Sequence, residues 1–363
     1  MSLAETLAQA AAPPPMRQPI AGPSAWVGAD MKRREAEWSY RLSASEIAEI
    51  EAAVRQVRAR GLDLAEIGRA DFPLPTLGAV LDRLRGEVLD GRGFVLIRGV
   101  PVEGRSMLDG ATAYWGIGAH IGNARSQNAM GHLLGHVRDL GLSAEQDPNV
   151  RIYQTAERQM FHTDWCDIVA LLCWRTARRG GFSSIVSSMS IYNRMLAERP
   201  DLVERLRRPF AMDRRGEVPP GARPFTEVPV FSAHAGLLSV LYSRRYIDSA
   251  QRFPEARRLT AVDVAALDYF DALANDPELR LDMAFQPGDV QLLHNHTILH
   301  DRTAYEDWPE PERKRHLLRL WLAAPGARPL PPSFAERFDG LVAGDRGGIR
   351  CAGTRPHAPL EAV

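Results

Sequence analysis

The order of hydrophobic and polar positions divides the chain into a helical front and a β-rich remainder. "SASEIAEIEAAVRQVRARG", from Ser43 to Gly61, spaces apolar residues three and four apart between a serine and a glycine, which predicts a capped helix. "PTLGAVLDRLRGEVLDGRG" has the same spacing and predicts a second. "GFVLIRGV", from Gly93 to Val100, is a short apolar run behind a glycine-rich turn and predicts a buried strand. Farther along, "RIYQT" and "QMFHTDWCDIVALLCW" read as strands, and "GGFSSIVSS" as a glycine turn entering another. "SIYNRMLAERPDLVERLRR" predicts a helix broken at Pro200. "TAVDVAALDYFDALANDPELR" predicts one capped by Thr260 with Asp263 three residues on. After the turn "PGD", the segments "VQLLHNHTILHDRT" and "RHLLRLWLAAP" predict two more strands.

This order lacks the strand–helix alternation of a parallel doubly wound fold, and the glycines of "GRGFVLIRG" precede a strand rather than join a strand to a helix. The fold class it predicts is mainly β with helical additions, an antiparallel barrel or jelly roll. Residues 1–30, rich in Ala, Pro and Gly, read as a flexible arm. Residues 31–325 read as one domain with a helical insertion around 190–275, and residues 326–363 as a Pro- and Gly-rich tail lying on the body. Acidic and basic residues balance at 45 each, which gives no electrostatic reason to expect nucleic acid or a membrane surface as partner. Three cysteines, with no CxxC pair, argue against a disulfide framework and for a reducing, cytoplasmic setting. The start lacks the basic and apolar regions of a secretory signal, and no apolar run reaches membrane-spanning length.

The chemistry concentrates at "FHTDWCD", Phe161 to Asp167. Side chains two apart on a strand share a face, so His162 and Asp164 could hold one ion. A third ligand must come from a distant strand, and "LLHNHTILHDRT" offers His294, His296 and His300, which periodicity alone does not separate. Two histidines and a carboxylate that leave coordination positions open are the ligand set of non-haem Fe(II) oxygenases. In "RKRHLLRLWL", Arg315, Leu317, Arg319 and Trp321 share one face, so two guanidinium forks would reach the metal side. An arginine buried there calls for an anion, from the protein or from a ligand. Cys166 and Cys173 read as small buried residues, since no second cysteine stands at a zinc-site spacing.

Taken together, "FHTD", "GGFSSIVSS" and "PGDVQLLHNHTILHDRTAYEDWPEPERKRHLLRLWL" resemble the taurine dioxygenase-like (TauD/TfdA) family of Fe(II)- and 2-oxoglutarate-dependent oxygenases, over about residues 90 to 325. The resemblance implies a double-stranded β-helix, or jelly roll, with Fe(II), 2-oxoglutarate as co-substrate and O2. It implies His162 and Asp164 as metal ligands, and His300 as the third, because "LHDRT" matches the family's string; His296 ranks second and His294 third. Arg315 follows His300 by 15 residues (315 − 300), the family's spacing for the 2-oxoglutarate arginine. Arg319 would assist it or bind substrate, and Ser187 would supply a hydroxyl to the co-substrate, with Ser188 or Ser184 as shifted alternatives. No catalytic residue is implied beyond the metal ligands. Relatives often carry an asparagine ahead of the HxD; "YQTAERQMFHTD" has none, and Gln154 or Gln159 would stand in. Asp164 favours hydroxylation over halogenation. The implied substrate is a small, carboxylate-bearing molecule, with Arg319, Arg244, Arg245, Tyr242 and Tyr246 as candidate contacts, and a homo-oligomer would suit the family. Trp165, Cys166 and Asp167 read as wall, packing and surface. The competing readings are a jelly-roll metal protein that binds a small acid without oxidising it, and a zinc hydrolase using the same ligands.

Overall fold

A computed structural model describes residues 18–143 and 150–362. Eleven strands form the two sheets that matter for the site. They are β1 Ser39–Arg41, β2 Phe94–Arg98, β3 Asn123–Arg125, β4 Leu134–Val137, β5 Gln159–His162, β6 Ile168–Arg175, β7 Ser183–Ser187, β8 Arg280–Met283, β9 Val290–His294, β10 Ile298–Arg302 and β11 His316–Ala323. The larger sheet runs β1-β2-β9-β6-β11-β3, with β4 also paired to β11; the smaller runs β8-β7-β10-β5. Every pairing is antiparallel except β1 with β2.

Alternation along the strands of the large sheet feeds two cores. Phe94, Leu96, Val169, Leu293 and Trp321 share a core with Ile185, Leu281 and Ile298 of the small sheet. Val95, Ile97, Ala170, Leu172, Leu292, Leu318 and Leu320 point the other way, against the helices Ala44–Arg60, Leu77–Leu89 and Met107–Ile121. A sheet buried on both faces has continuous apolar strands, which is why β6 and β11 carry so few polar residues.

The first two helices form as their sequence predicts. Ser43 and Glu46 make a reciprocal capping box, and Gly61 ends the helix at φ 66°. The helix at Met107–Ile121 has no amphipathic stripe to read, because it is buried almost all round. Its glycines are required by contact: a Cβ on Gly116 would lie 2.4 Å from the Phe72 ring.

Other expectations change. "RIYQT" is a 3-10 turn, Ile152–Gln154, rather than a strand. There the Gln154 amide oxygen accepts from the Arg151 N–H at 3.3 Å, a local bond that competes with pairing. "VQLLHNHTILHDRT" is two strands, not one: β9 belongs to the large sheet and β10 to the small one, joined through Asn295–Thr297. The segment 190–275 contains the helices Ser188–Glu198, Pro200–Leu206, Arg244–Ala250 and Ala261–Ala274, and also two β-hairpins, at 209–229 and 231–240.

Of the arm, residues 1–17 lie outside the described residues. Residues 18–30 are docked: Ile20 pairs with the Asn193 amide, Trp26 Nε1 donates to Arg92, and a helix starts at Gly28. The tail packs on the body, with Arg346 fully buried and His357 bridged to His132.

Candidate metal centre

His162 is the last residue of β5, and the chain leaves the sheet immediately after it. Thr163 clamps this exit, its N–H donating to the Tyr242 carbonyl at 2.8 Å and its hydroxyl accepting from the Tyr242 N–H at 2.9 Å. Asn295, in the turn between β9 and β10, accepts from the Asp164 N–H at 2.8 Å and donates to the carbonyls of Asp164 and Cys166. His162 and Asp164 therefore converge through a pinned loop, not through the parity of a continuous strand.

His300 lies in mid-β10, directly opposite His162 in the pairing register. The two rings are 4.2 Å apart between centroids. One ligand atom from each of His162, Asp164 and His300 falls within 4.8 Å of the others. Asp164 Oδ1 is 3.7 Å from His162 Nε2, and Asp164 Oδ2 is 3.7 Å from His300 Nε2. The His162 Nδ1–H donates to the Met160 carbonyl at 2.8 Å, which leaves the Nε2 lone pair facing the carboxylate. Burial, with His300 adding to it, pushes His162 down to about 3, so the ring is neutral at ordinary pH. Burial opposes the Asp164 charge, but Arg319, His300 and His162 outweigh it and hold the carboxyl well below the usual range. Trp321 Nε1 donates to Asp164 Oδ2 at 2.8 Å and orients the group. The two imidazoles, His162 neutral, and an ionised carboxylate form a donor set for a divalent metal.

Behind the triad a narrow cleft is lined by Ser183, His300, Arg302, Arg315, Leu317 and Arg319. Arg315 is 3% exposed and stacks on the Tyr305 ring, 5.0 Å away, with Nη1 buried and unpartnered. It forms no ion pair with any carboxylate among the described residues. A buried guanidinium in that state is costly until an anion reaches it. Gly181 makes the room: its φ is 69°, and a Cβ there would lie 2.8 Å from Arg315 Nε. The "GG" turn of the sequence thus serves the arginine, and the cleft suits the far carboxylate of a dicarboxylic acid.

In front of the triad opens a cavity of about 540 Å³, within the range of small-molecule sites. Trp165, Trp321 and Tyr246 wall it, with Trp165 5.6 Å from Tyr246 and 6.3 Å from Trp321. Gln159 borders both spaces and approaches His162 Nε2 at 2.9 Å.

Several expected residues stand elsewhere. Ser187 does not reach the cleft; its hydroxyl accepts from the Ser190 N–H as a helix cap and donates to the Ser24 carbonyl at 2.5 Å. On β7 residues four apart share a face, so the hydroxyl lining the cleft is Ser183, at the far end of the strand. Ser184 is bonded to Asp282 and also lies outside the lining. Arg319 is committed to the triad: Nε donates to Gln127 at 2.6 Å and Nη1 reaches Asp164 at 3.5 Å. His296 faces Asp167 at 3.1 Å and His294 faces Thr297 at 2.8 Å, both away from the triad. Asp167 is fully buried, not at the surface, and binds Arg346 as well as His296. Tyr242 is turned to Asp271; Arg244, Arg245 and Tyr246 line the cavity, with Arg244 held by Asp248, Asp268 and Asp271. Gln127, Asn295, Ser183 and Arg215 escape sequence reasoning because no local pattern marks a residue that acts only through a distant partner.

The chain matches the taurine catabolism dioxygenase TauD, TfdA family over residues 58–321. It is 32% identical over 330 residues to the FR-33289 synthase of Streptomyces rubellomurinus, covering 90% of this chain and 97% of that protein. It is 29% identical over 329 residues to the taurine hydroxylase-like protein SAT17 of Stachybotrys chartarum, covering 88% and 84%. Among solved structures, asparagine oxygenase in complex with Fe(II), 2S,3S-3-hydroxyasparagine and succinate is similar in fold, with TM-score 0.57 and 17% identity over 78% of this chain and 93% of that one.

Proposed function

The chain belongs to the TauD, TfdA family and is a non-haem Fe(II)- and 2-oxoglutarate-dependent hydroxylating oxygenase, and from that premise we propose that His162, Asp164 and His300 are its metal ligands and Arg315 its 2-oxoglutarate anchor. The observation that carries this reading is the convergence of the three ligand atoms within 4.8 Å, beside a buried arginine that no carboxylate among the described residues pairs. The readings as a non-oxidising metal protein or a zinc hydrolase give way to the family assignment. We read the two facing sheets as the family's jelly roll, in a single domain over residues 31–325, supported by the apolar core between them.

Bound at this site, Fe(II) with 2-oxoglutarate and O2 supplies the oxidising power that hydroxylates a C–H bond while 2-oxoglutarate becomes succinate and CO2. The protein's own residues do the positioning. His162 presents Nε2 because Met160 holds its other nitrogen, and Asp164 stays ionised and aimed because Trp321 and Arg319 hold it. Arg315 fixes the co-substrate's far carboxylate with its fork, Ser183 borders it with its hydroxyl donating to Gln291 Oε1 at 3.1 Å, and Arg302 adds positive charge. Trp165, Trp321 and Tyr246 exclude water from the substrate side. The substrate of this reading is a small anionic molecule, supported by the excess of arginines over acids around the cavity. No helix among the described residues is long and apolar enough to cross a membrane, and the three unpaired cysteines support a cytoplasmic setting.

Anaerobic addition of Fe(II) and 2-oxoglutarate tests the assignment through the weak visible absorption of the metal–keto acid chelate. The wild-type protein shows the band, and Asp164→Ala loses both the band and succinate formation. Wild-type succinate output from Asp164→Ala would sink it.

A further inference from the structure

The cavity in front of the triad is lined by six arginines, and four of them already have carboxylate partners. Arg151 is paired with Glu217, Arg158 with Asp301, Arg244 with three aspartates and Arg319 with Asp164. Arg215 and Arg245 are different. Arg245 is half-buried and makes no hydrogen bond or ion pair among the described residues. Arg215 is 6% exposed, its Nε is buried without an acceptor, and among the described residues its side chain bonds only from Nη1 to the Ser249 hydroxyl at 3.3 Å. Nearby Asp213 is spent on Arg252 and on the Arg215 backbone N–H. The two unpaired cations are close enough that Arg245 disfavours the charge on Arg215. Arg215 is also held at φ 54°, a left-handed conformation that costs free energy in a non-glycine residue.

A buried guanidinium on a strained backbone, Arg215, beside a half-buried one without a carboxylate partner, Arg245, is expensive in the free protein and makes sense where a ligand supplies the charge. Resting on the oxygenase reading above, we infer that Arg215 and Arg245 form the recognition site for a tetrahedral dianionic group on the substrate, a phosphate ester or a phosphonate. Two cations match two negative charges, whereas a single carboxylate leaves one guanidinium unpaired. Three oxygens on a tetrahedral centre also give both forks acceptors at once. The site is tied to the reacting centre through the backbone. Ser243 bridges to His162, and the helix that follows, Arg244–Ala250, carries Arg245, Tyr246 and Ser249. The anion would be held in the cavity that Trp165, Tyr246, His162 and Asp164 also line.

Calorimetric titration of the Fe(II)- and 2-oxoglutarate-loaded protein under argon tests this. The probes are methylphosphonate and methyl phosphate as dianions, and methanesulfonate and acetate as monoanions. The dianions bind, the monoanions bind about tenfold more weakly or worse, and Arg215→Gln and Arg245→Gln each weaken dianion binding about tenfold or more. The tighter of the two dianions tells a phosphonate from an ester. The chelate absorption with 2-oxoglutarate persists in both variants. Acetate binding as tightly as methylphosphonate, or undiminished dianion binding in the double variant, overturns the inference while the chelate band still upholds the oxygenase reading. Absence of the band from the wild type would overturn both. Arg245→Gln keeps the test decisive if Arg215→Gln misfolds, because the Arg245 side chain makes no bond among the described residues that folding could lose.

Discussion

Arg315 shows what one side chain must do here. It is buried, has no carboxylate partner among the described residues, and occupies a space that Gly181 keeps open. Arg315→Ala is expected to raise the KM for 2-oxoglutarate about 10- to 100-fold, the loss of a charge-assisted bidentate contact, with a smaller effect on kcat. Steady-state kinetics with varied 2-oxoglutarate checks this; an unchanged KM would move the role to Arg319 or Arg302. At this scale the sequence was readable where chemistry has a motif. His162 and Asp164 stand out by residue type and spacing, whereas His300 and Arg315 are singled out by the string and interval of the family the chain resembles. Ser187 failed because "SSIVSS" offers four serines and only the start of β7 decides which one meets the cleft. Arg244 and Arg245 are adjacent and alike in sequence, yet three aspartates neutralise the first and none the second.

Elements position these residues through their ends. The turn between β9 and β10 holds Asn295, whose amide satisfies three backbone groups of the loop 164–166. Asn295→Ala leaves those groups unpaired in a buried place, so it should cost about 1–3 kcal/mol by urea unfolding. It should also weaken Fe(II) binding, as supporting contacts of metal ligands do. A variant with wild-type metal affinity would show that the loop holds its shape unaided. The helix Ala261–Ala274 supplies a pH signature. Burial opposes the charge on Asp263, but Arg257, Thr260 and Arg205 outweigh it, moving the carboxyl from its ordinary 3.8 to about 2. A depressed carboxyl stabilises above its unfolded value and loses that contribution as pH falls through the folded one. The wild type should therefore exceed Asp263→Asn by about 2 kcal/mol near neutral pH. The gap should close as pH drops through about 4 to 2, read by denaturant titrations across that range. A gap independent of pH would assign the effect to packing. Caps of this kind were visible in sequence because they are local; the splitting of "VQLLHNHTILHDRT" between two sheets was not, because strand partners lie far away in the chain.

Across the whole molecule, distant segments close on the same loop. Arg346, from the tail, binds Asp167 at 2.7 Å, and Asp167 in turn binds His296 and the Ala324 N–H. All three charged or titratable side chains are fully buried. Arg346→Ala strands a buried carboxylate and should destabilise the fold by about 3–5 kcal/mol, measured by chemical denaturation. A loss under about 1 kcal/mol would mean that water or a shifted His296 compensates. The network explains why His296, a plausible ligand in sequence, is occupied elsewhere, and why Asp167 is not the surface residue its position beside the apolar run implied. The sequence alone determined the β-rich class, the capped helices and the paired His162 and Asp164, because periodicity, caps and short spacings act over a few residues, and the family's motifs carried the oxygenase chemistry. Only the tertiary structure decided which serine reaches the cleft, which arginines remain unpaired, and how His162 and Asp164 meet. Those outcomes depend on which charges and backbone groups are already satisfied by partners far along the chain.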